Sequence, residues 1–513
     1  MFIKVLLLLL FFAVTIFVGL YFRKRTQNVN DFVLGGRNVG PWLSAFSYGA
    51  SYFSAVVFVG YAGQFGWKFG TAAVWIGLGN AFIGSLMAWF ILGRRTRVMT
   101  NHLKSATMPE FFGARFKSAP LKIGASIIVF IFLIPYTASL YNGLSRLFAM
   151  AFNIDFAICI IAMGVLTAIF VVAGGYFATV VNDFIQGIIQ LIGVVAVIAA
   201  ALSLKGGFTE AIRSLAEKSD IVNGAATAPG AFTSFFGPDP ISLLGVIILT
   251  SLGTWGLPQM VARFYSIKSE NQITKGAVIS TIFAIFVAGG CYFLGSFGRL
   301  FVEPGYVAEN GFDAIIPTVL SGMSEVMIGI VIVLVFAASI STLSSLVIAS
   351  ASTLTLDFIK GHIVKKMSEK KQLVIIRSLI VVFIAVSSVI AIVQYKGGIT
   401  FIAQLMGVSW GALAGSFLAP FLFGLYWKRA TKAGVWSCFA FSTALMTLNI
   451  FFRSSFPAIL QSPINAGAFA MLAGFIIVPL VSAITRPPEK AAVEHSFSCY
   501  EQVVSVKIRQ DLG

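Results

Sequence analysis

Apolar residues gather into thirteen runs long enough to cross the hydrocarbon of a bilayer as helices, which takes about 20 residues each. They cover residues 2–22, 41–66, 70–93, 119–149, 154–174, 178–204, 238–262, 273–302, 324–356, 373–395, 399–426, 433–452 and 465–485. The pattern predicts an all-α polytopic membrane protein with about 13 transmembrane helices. The first run is followed by Arg23-Lys24-Arg25 and by no small-residue cleavage site. It reads as a membrane helix rather than a cleaved leader.

Two runs are poor straight helices. The second carries Ser44, Ser47, Gly49, Ser51, Ser54, Gly60 and Gly63, and the seventh carries Gly253, Gly256 and Pro258. They stand five runs apart. Interrupted helices at matching positions of two halves point to a transporter's midplane site, because unwinding frees carbonyls for a cation and helix N-termini for a carboxylate. For a single Gly or Ser, close helix packing is the simpler account. For the pair of runs together, a site is the better one.

Composition agrees with a lipid solvent. Hydrophobic residues make up 58% of the chain and charged residues 11%, with mean hydropathy +0.92; soluble domains carry about 25% charged residues. The net charge of +17 forms no continuous basic face, so nucleic acid is not an expected partner. Instead the basic residues alternate. Loops after runs one, three, seven, nine and eleven, and the tail, hold Arg23, Lys24, Arg25 and Arg37, then Arg94, Arg95, Arg97, Lys104, Arg115 and Lys117, then Arg263 and Lys268, then Lys360, Lys365, Lys366, Lys370 and Lys371, then Lys428, Arg429 and Lys432, and last Arg486, Lys490, Lys507 and Arg509. The intervening loops hold few: Lys68, then Lys205, Arg213 and Lys218, then Lys396, then Arg453. By the positive-inside rule the N-terminus lies outside, the C-terminus inside the cell membrane, and two long loops, 205–237 and 303–323, lie outside. The second is expected to dip back onto the membrane face. Cys159, Cys291, Cys438 and Cys499 lack metal or redox spacing, and the histidines (His102, His362, His495) fall outside the runs. No cofactor is expected, nor an enzyme, since no catalytic His, Cys or acid pair faces another within the runs.

In run nine, Ala338, Ser341, Thr342 and Ser345 follow helical spacing and share one stripe, with Ser344 three residues beyond Ser341. Hydroxyls and a carbonyl there suit sodium; a small-residue packing stripe reads equally well. Asp183 lies about one turn inside run six, and an ionisable group at that depth is a functional candidate.

The stretches DFVLGGRNVGPW (Asp31–Trp42), AGGYFATVVNDFIQ (Ala173–Gln186), ISTLSS (Ile340–Ser345) and GLYWKRATKAG (Gly424–Gly434) resemble the sodium:solute symporter family, especially its sodium/proline and sodium/pantothenate branches. The resemblance implies a LeuT-type 5+5 inverted repeat: an extra helix at 1–22, repeats at 41–204 and 238–426, two further helices at 433–485, and a cytoplasmic tail at 486–513. It implies a shared sodium site at Ala50, Phe53, Ala338, Ser341 and Thr342. A second sodium, as in a two-sodium sialic acid symporter, would take Asp183, Ser341, Ser344 and Ser345. The solute would lie by Ser51, Tyr52, Ser54, Val57, Tyr136 and Thr250. Tyr52 stands where the proline branch has an intramembrane Asp, and Thr250 where it has a Trp. The implied activity is sodium-coupled import of a small solute, an amino acid such as proline or a carboxylate such as pantothenate. Proton coupling through Asp183 is the nearest alternative, a channel or sensor a more distant one.

Overall fold

In a computed structural model, residues 2–23, 28–152, 154–222, 225–364, 366–397 and 402–501 are described. Met1, Lys24, Arg25, Lys365, the head of the eleventh run (399–401), and the tail from 502, with Lys507 and Arg509, lie outside them, as does the side chain of Lys396.

The long helices are α1 (Phe2–Phe22), α2 (Pro41–Tyr52), α3 (Val56–His102), α4 (Ala119–Phe152), α5 (Phe156–Ser203), α6 (Pro240–Gly256), α7 (Pro258–Ser266), α8 (Glu270–Leu300), α9 (Glu325–Lys360), α10 (Glu369–Gly397), α11 (Ile402–Tyr426), α12 (Lys432–Phe451) and α13 (Pro463–Ile484). Among the described residues ten helices are long and apolar enough to span a membrane, eleven when the bent pair α6–α7 counts as one. This is fewer than the thirteen runs because helical hydrogen bonding continues across two loops too short to end it. In α5, which holds runs five and six, the chain changes direction at Gly175 (φ 62°, ψ −160°), a conformation that side-chain-bearing residues rarely adopt. In α3, the second half of run two joins run three at Gly70 (φ 59°). A Cβ on Gly70 would lie 1.9 Å from the Phe232 carbonyl oxygen.

The basic loops meet at one end of the bundle. Arg37 donates to the Ser105 carbonyl at 2.5 Å, and Val39 pairs with Ile267. Arg115 donates to the carbonyls of Gly424 and Trp427 at 3.0 and 3.2 Å. Burial pulls the Arg115 pKa down to about 10, which leaves it charged at neutral pH. Asp357 is wholly buried there and accepts from Thr107 Oγ1 at 2.5 Å, with Lys122 3.3 Å away. A last helix, α14 (Lys490–Phe497), lies across this end.

The sparse loops meet at the other end. Segment 205–237 folds into a short helix, Phe208–Ala216, and a two-stranded hairpin. Arg299 pins it, donating to Asp220 at 2.7 Å and lying over the Phe232 ring. Segment 303–323 does turn inward. Ile315 and Ile316 are buried, and Asp313 accepts from the Ile402 N–H at 3.1 Å. Lipid-facing positions such as Leu10 and Ile192 are apolar and exposed, whereas α9 is buried through its middle. Where α3 crosses α8 the backbones touch: a Cβ on Gly66 would meet the Gly295 carbonyl carbon at 2.0 Å. In lipid, where apolar burial gives little net drive, such close approach supplies the packing energy.

Candidate functional site

The site begins where α2 stops. Phe53 leaves the helical region (φ −103°, ψ 94°), and the chain resumes in a wide π-helical turn at Val56–Tyr61. The Val57 N–H, which would have met the Phe53 carbonyl in a continuing helix, instead bonds to Ser54 O at 3.0 Å. The Phe53 carbonyl therefore leaves the helical ladder. Opposite, α6 and α7 meet at 48° around Leu257, just before Pro258. A Cβ on Gly143 of α4 would lie 3.3 Å from the Ala55 carbonyl, so only a small residue lets α4 approach the break this closely.

α9 closes the first group. Ser341 Oγ lies 2.8 Å from Ala50 O and 3.0 Å from Ala338 O. Thr342 Oγ1 lies 3.4 Å from Ala50 O, 3.3 Å from Ser51 O and 3.1 Å from Ala338 O. Four of the five expected sodium ligands thus converge, all neutral hard oxygens in a buried setting, and Phe53 adds a carbonyl at the break. This donor set fits an alkali cation, which wants oxygen and no soft ligand.

The second group differs from the sequence expectation. Asp183 accepts from Ser47 Oγ and lies 3.4 Å from the Arg263 guanidinium, both charges fully buried. Arg263 also donates to Ser345 Oγ, and to Ser51 Oγ at 2.8 Å. Ser51 and Ser345 are 2.9 Å apart. Ser344 turns away to its own helix, donating to Ile340 O at 2.5 Å. A guanidinium therefore stands among Asp183, Ser51 and Ser345. A cleft lined by Leu34, Thr107, Met108, Gln259, Arg263 and Ser345 runs from here toward the basic-loop end.

The third group forms a wall. Tyr52, Ser54, Val57, Tyr136 and Thr250 are all buried. Tyr52 donates its hydroxyl to Thr250 O and stacks on Phe53 at 4.3 Å. Trp410 of α11 completes the wall, 6.1 Å from Tyr52 and edge-on to Tyr136 at 5.8 Å. Ser51, expected here, belongs instead with Arg263.

A model of the sodium:solute symporter family matches residues 32–441. The chain belongs to that family.

Relatives in the family include sodium/proline symporters of Staphylococcus aureus, among them those of strains NCTC 8325 / PS 47 and N315. Each is 30% identical over 521 residues, covering 98% of this chain and 96% of the relative. In fold, the chain is similar to a Na+-coupled sialic acid symporter in a substrate-bound outward-open state (TM-score 0.74, 19% identity, 96% of this chain and 99% of that one). It is also similar to Mhp1, a nucleobase-cation-symport-1 family transporter, in a closed conformation (TM-score 0.52, 15% identity, 92% and 99%). Family members and these neighbours are membrane transporters with sodium or another cation as partner. The sequence pattern passed over three residues of this candidate site. Arg263 counted as a loop charge because it follows the seventh apolar run directly. Ser47 was one serine among several. Trp410 lies in GVSWGALAG, where a large ring among small residues is the one visible signal.

Proposed function

We propose that the protein imports a small organic solute by alternating access, driven by sodium bound at Ala50, Phe53, Ala338, Ser341 and Thr342. The observation that carries this reading is the convergence of the Ser341 and Thr342 hydroxyls on the Ala50 carbonyl across the α2 break. An ion held there ties α9 to α2, so its binding and release can bias which way the site opens.

The rest of the architecture follows the same reading. The thirteen runs are thirteen passes, with the first repeat at 41–204 and the second at 238–426. The extra helix is residues 1–22, two helices fill 433–485, and the tail begins at 486. The basic-loop end faces the cytoplasm, the N-terminus lies outside, and the bilayer is that of the cell. The solute sits against Tyr52, Ser54, Val57, Tyr136, Thr250 and Trp410, and is an amino acid such as proline or a small carboxylate such as pantothenate.

Coupling uses one sodium in the arrangement seen here. Asp183, Ser344 and Ser345 could complete a second site only after Arg263 withdrew and Ser344 changed rotamer. Until then Arg263 supplies the positive charge beside Asp183, whether the rival ion is sodium or a proton. Uptake into proteoliposomes tests the reading. Replacing external sodium by choline at fixed pH should abolish accumulation, and a proton gradient alone should not restore it. Undiminished uptake in choline would overturn it.

A further inference from the structure

We infer that an anionic phospholipid docks at the basic-loop end, with its phosphate between the start of α12 and the link from α13 to α14. This docking is independent of the ion and solute readings. It needs only that this end of the bundle lies at a membrane surface.

The place is a cavity of about 340 Å³ lined by Arg115, Lys117, Thr431, Lys432, Arg486 and Glu489. Its cations come from three segments: the turn before α4, the first residue of α12 and the link after α13. The acid in the wall, Glu489, is already held by Lys117 at 3.3 Å. Arg115 is buried and gives its N–H groups to the Gly424 and Trp427 carbonyls, so it adds charge rather than a contact. Lys432 and Arg486 are exposed, and among the described residues neither makes an ion pair or a side-chain hydrogen bond. Two uncommitted cations on one wall suit a phosphate, with its several acceptor oxygens.

The wall is fixed without an occupant. The Thr431 N–H donates to Ser482 Oγ at 3.0 Å, and Thr431 Oγ1 lies 3.0 Å from Thr485 Oγ1. Arg429 donates to the Thr485 carbonyl at 2.8 Å. These bonds join the start of α12 to the end of α13. Pro487 and Pro488 then restrict the backbone of the link. Little ordering is left for the ligand to impose, which favours binding.

Position makes a lipid the source of the phosphate. One turn into α12, Trp436 is 39% exposed and sits over Gly124 of α4, and Ile484, the last residue of α13, is 85% exposed. Tryptophan at a helix end marks the head-group level, and exposed apolar residues beside it mark the hydrocarbon. A head group in the cavity can therefore leave its acyl chains in the bilayer, as in other basic pockets at the ends of membrane helices. The second basic cavity at this end, beside Arg94, Arg97 and Lys268, differs. There Arg94 is paired with Glu270 at 2.7 Å, and Arg97 donates to the Ile267 and Lys268 carbonyls at 2.7 and 3.4 Å. Ala492 of α14 also lines the cavity under Lys432 and Arg486, so a lipid held there joins α12 to the C-terminal helix.

Thermal unfolding of the purified full chain in a neutral detergent tests this, with added dioleoylphosphatidylglycerol, dioleoylphosphatidylcholine or glycerol phosphate. Phosphatidylglycerol should raise the midpoint at concentrations where the other two do not. The double variant Lys432→Gln/Arg486→Gln should raise the half-stabilising concentration of phosphatidylglycerol roughly tenfold or more. Lys366→Gln/Lys370→Gln, which removes two exposed charges at the α9–α10 turn of the same end, should leave it unchanged. Phosphatidylglycerol should also slow proteolysis after Lys490 in the unaltered protein and not in the Lys432/Arg486 variant. Equal stabilisation by phosphatidylcholine would overturn the docking. Equal losses in the two double variants would also overturn it, since general surface charge would then be the cause. Glycerol phosphate that matches phosphatidylglycerol would overturn the lipid as the source of the phosphate.

Discussion

The Arg263 guanidinium lies 3.4 Å from the Asp183 carboxylate, with both side chains removed from solvent and Ser345 and Ser51 on the same guanidinium nitrogen. Losing one member of such a pair leaves a buried charge alone, at a cost of about 3–5 kcal/mol. Asp183→Asn, although nearly isosteric, should therefore lower the unfolding midpoint strongly, and so should Arg263→Gln. The double variant should recover more than half of the summed loss in a double-mutant cycle. Additive losses would mean that the two residues do not act as a pair. With Arg263 in place, sodium activation of the unaltered protein should be hyperbolic; a sigmoid curve would show that the guanidinium leaves during transport.

Sodium affinity should depend on two hydroxyls. A hydrogen-bonding or ligand oxygen facing a charge contributes about 1.5–3 kcal/mol, so Ser341→Ala and Thr342→Ala should each raise half-saturating sodium by roughly tenfold or more. Ser344→Ala, whose hydroxyl turns to Ile340 O, should leave it nearly unchanged. The readout is sodium-dependent thermal stabilisation, which needs no knowledge of the solute. An equal effect at all three positions would place the ion elsewhere on α9.

Much of this was legible in the chain because membranes allow few structures. Backbone groups without water must bond within a helix, so apolar runs map onto helices, and Gly and Pro mark where those helices give way. The alternation of Lys and Arg grouped the loops that meet at Arg115, Arg37 and Asp357. What the pattern could not reveal is which charge enters the site. Arg263 sits at the edge of an apolar run, and only the bend at Leu257 turns α7 inward and carries its guanidinium to Asp183. At Gly70 and Gly175 the runs divide where one glycine with positive φ turns the chain, although helical hydrogen bonding carries on across the turn.

The packing at the sparse-loop end should depend on Asp313. Its carboxylate accepts from the Ile402 N–H at 3.1 Å and faces Arg146 at 3.9 Å, so it ties segment 303–323 to the starts of α11 and the end of α4. Asp313→Ala leaves a buried N–H without a partner, which costs about 1–3 kcal/mol. Asp313→Asn keeps an acceptor and loses only the charge. The expected order of solvent access to the Ile402 N–H, read by hydrogen exchange, is Asp313→Ala above Asp313→Asn above the unaltered protein. Equal access in all three would remove Asp313 from that packing.

The C-terminal helix should be held by its aromatic residues. Phe497 is buried under Arg115 at 4.8 Å, and Tyr500 lies over Arg95, which also faces Tyr426. Truncating a buried Phe to Ala costs about 3–5 kcal/mol, but here the loss falls on a segment that can detach alone. Phe497→Ala should therefore speed proteolysis after α13 severalfold while barely moving the global unfolding midpoint. A large shift of that midpoint would show that α14 unfolds with the bundle.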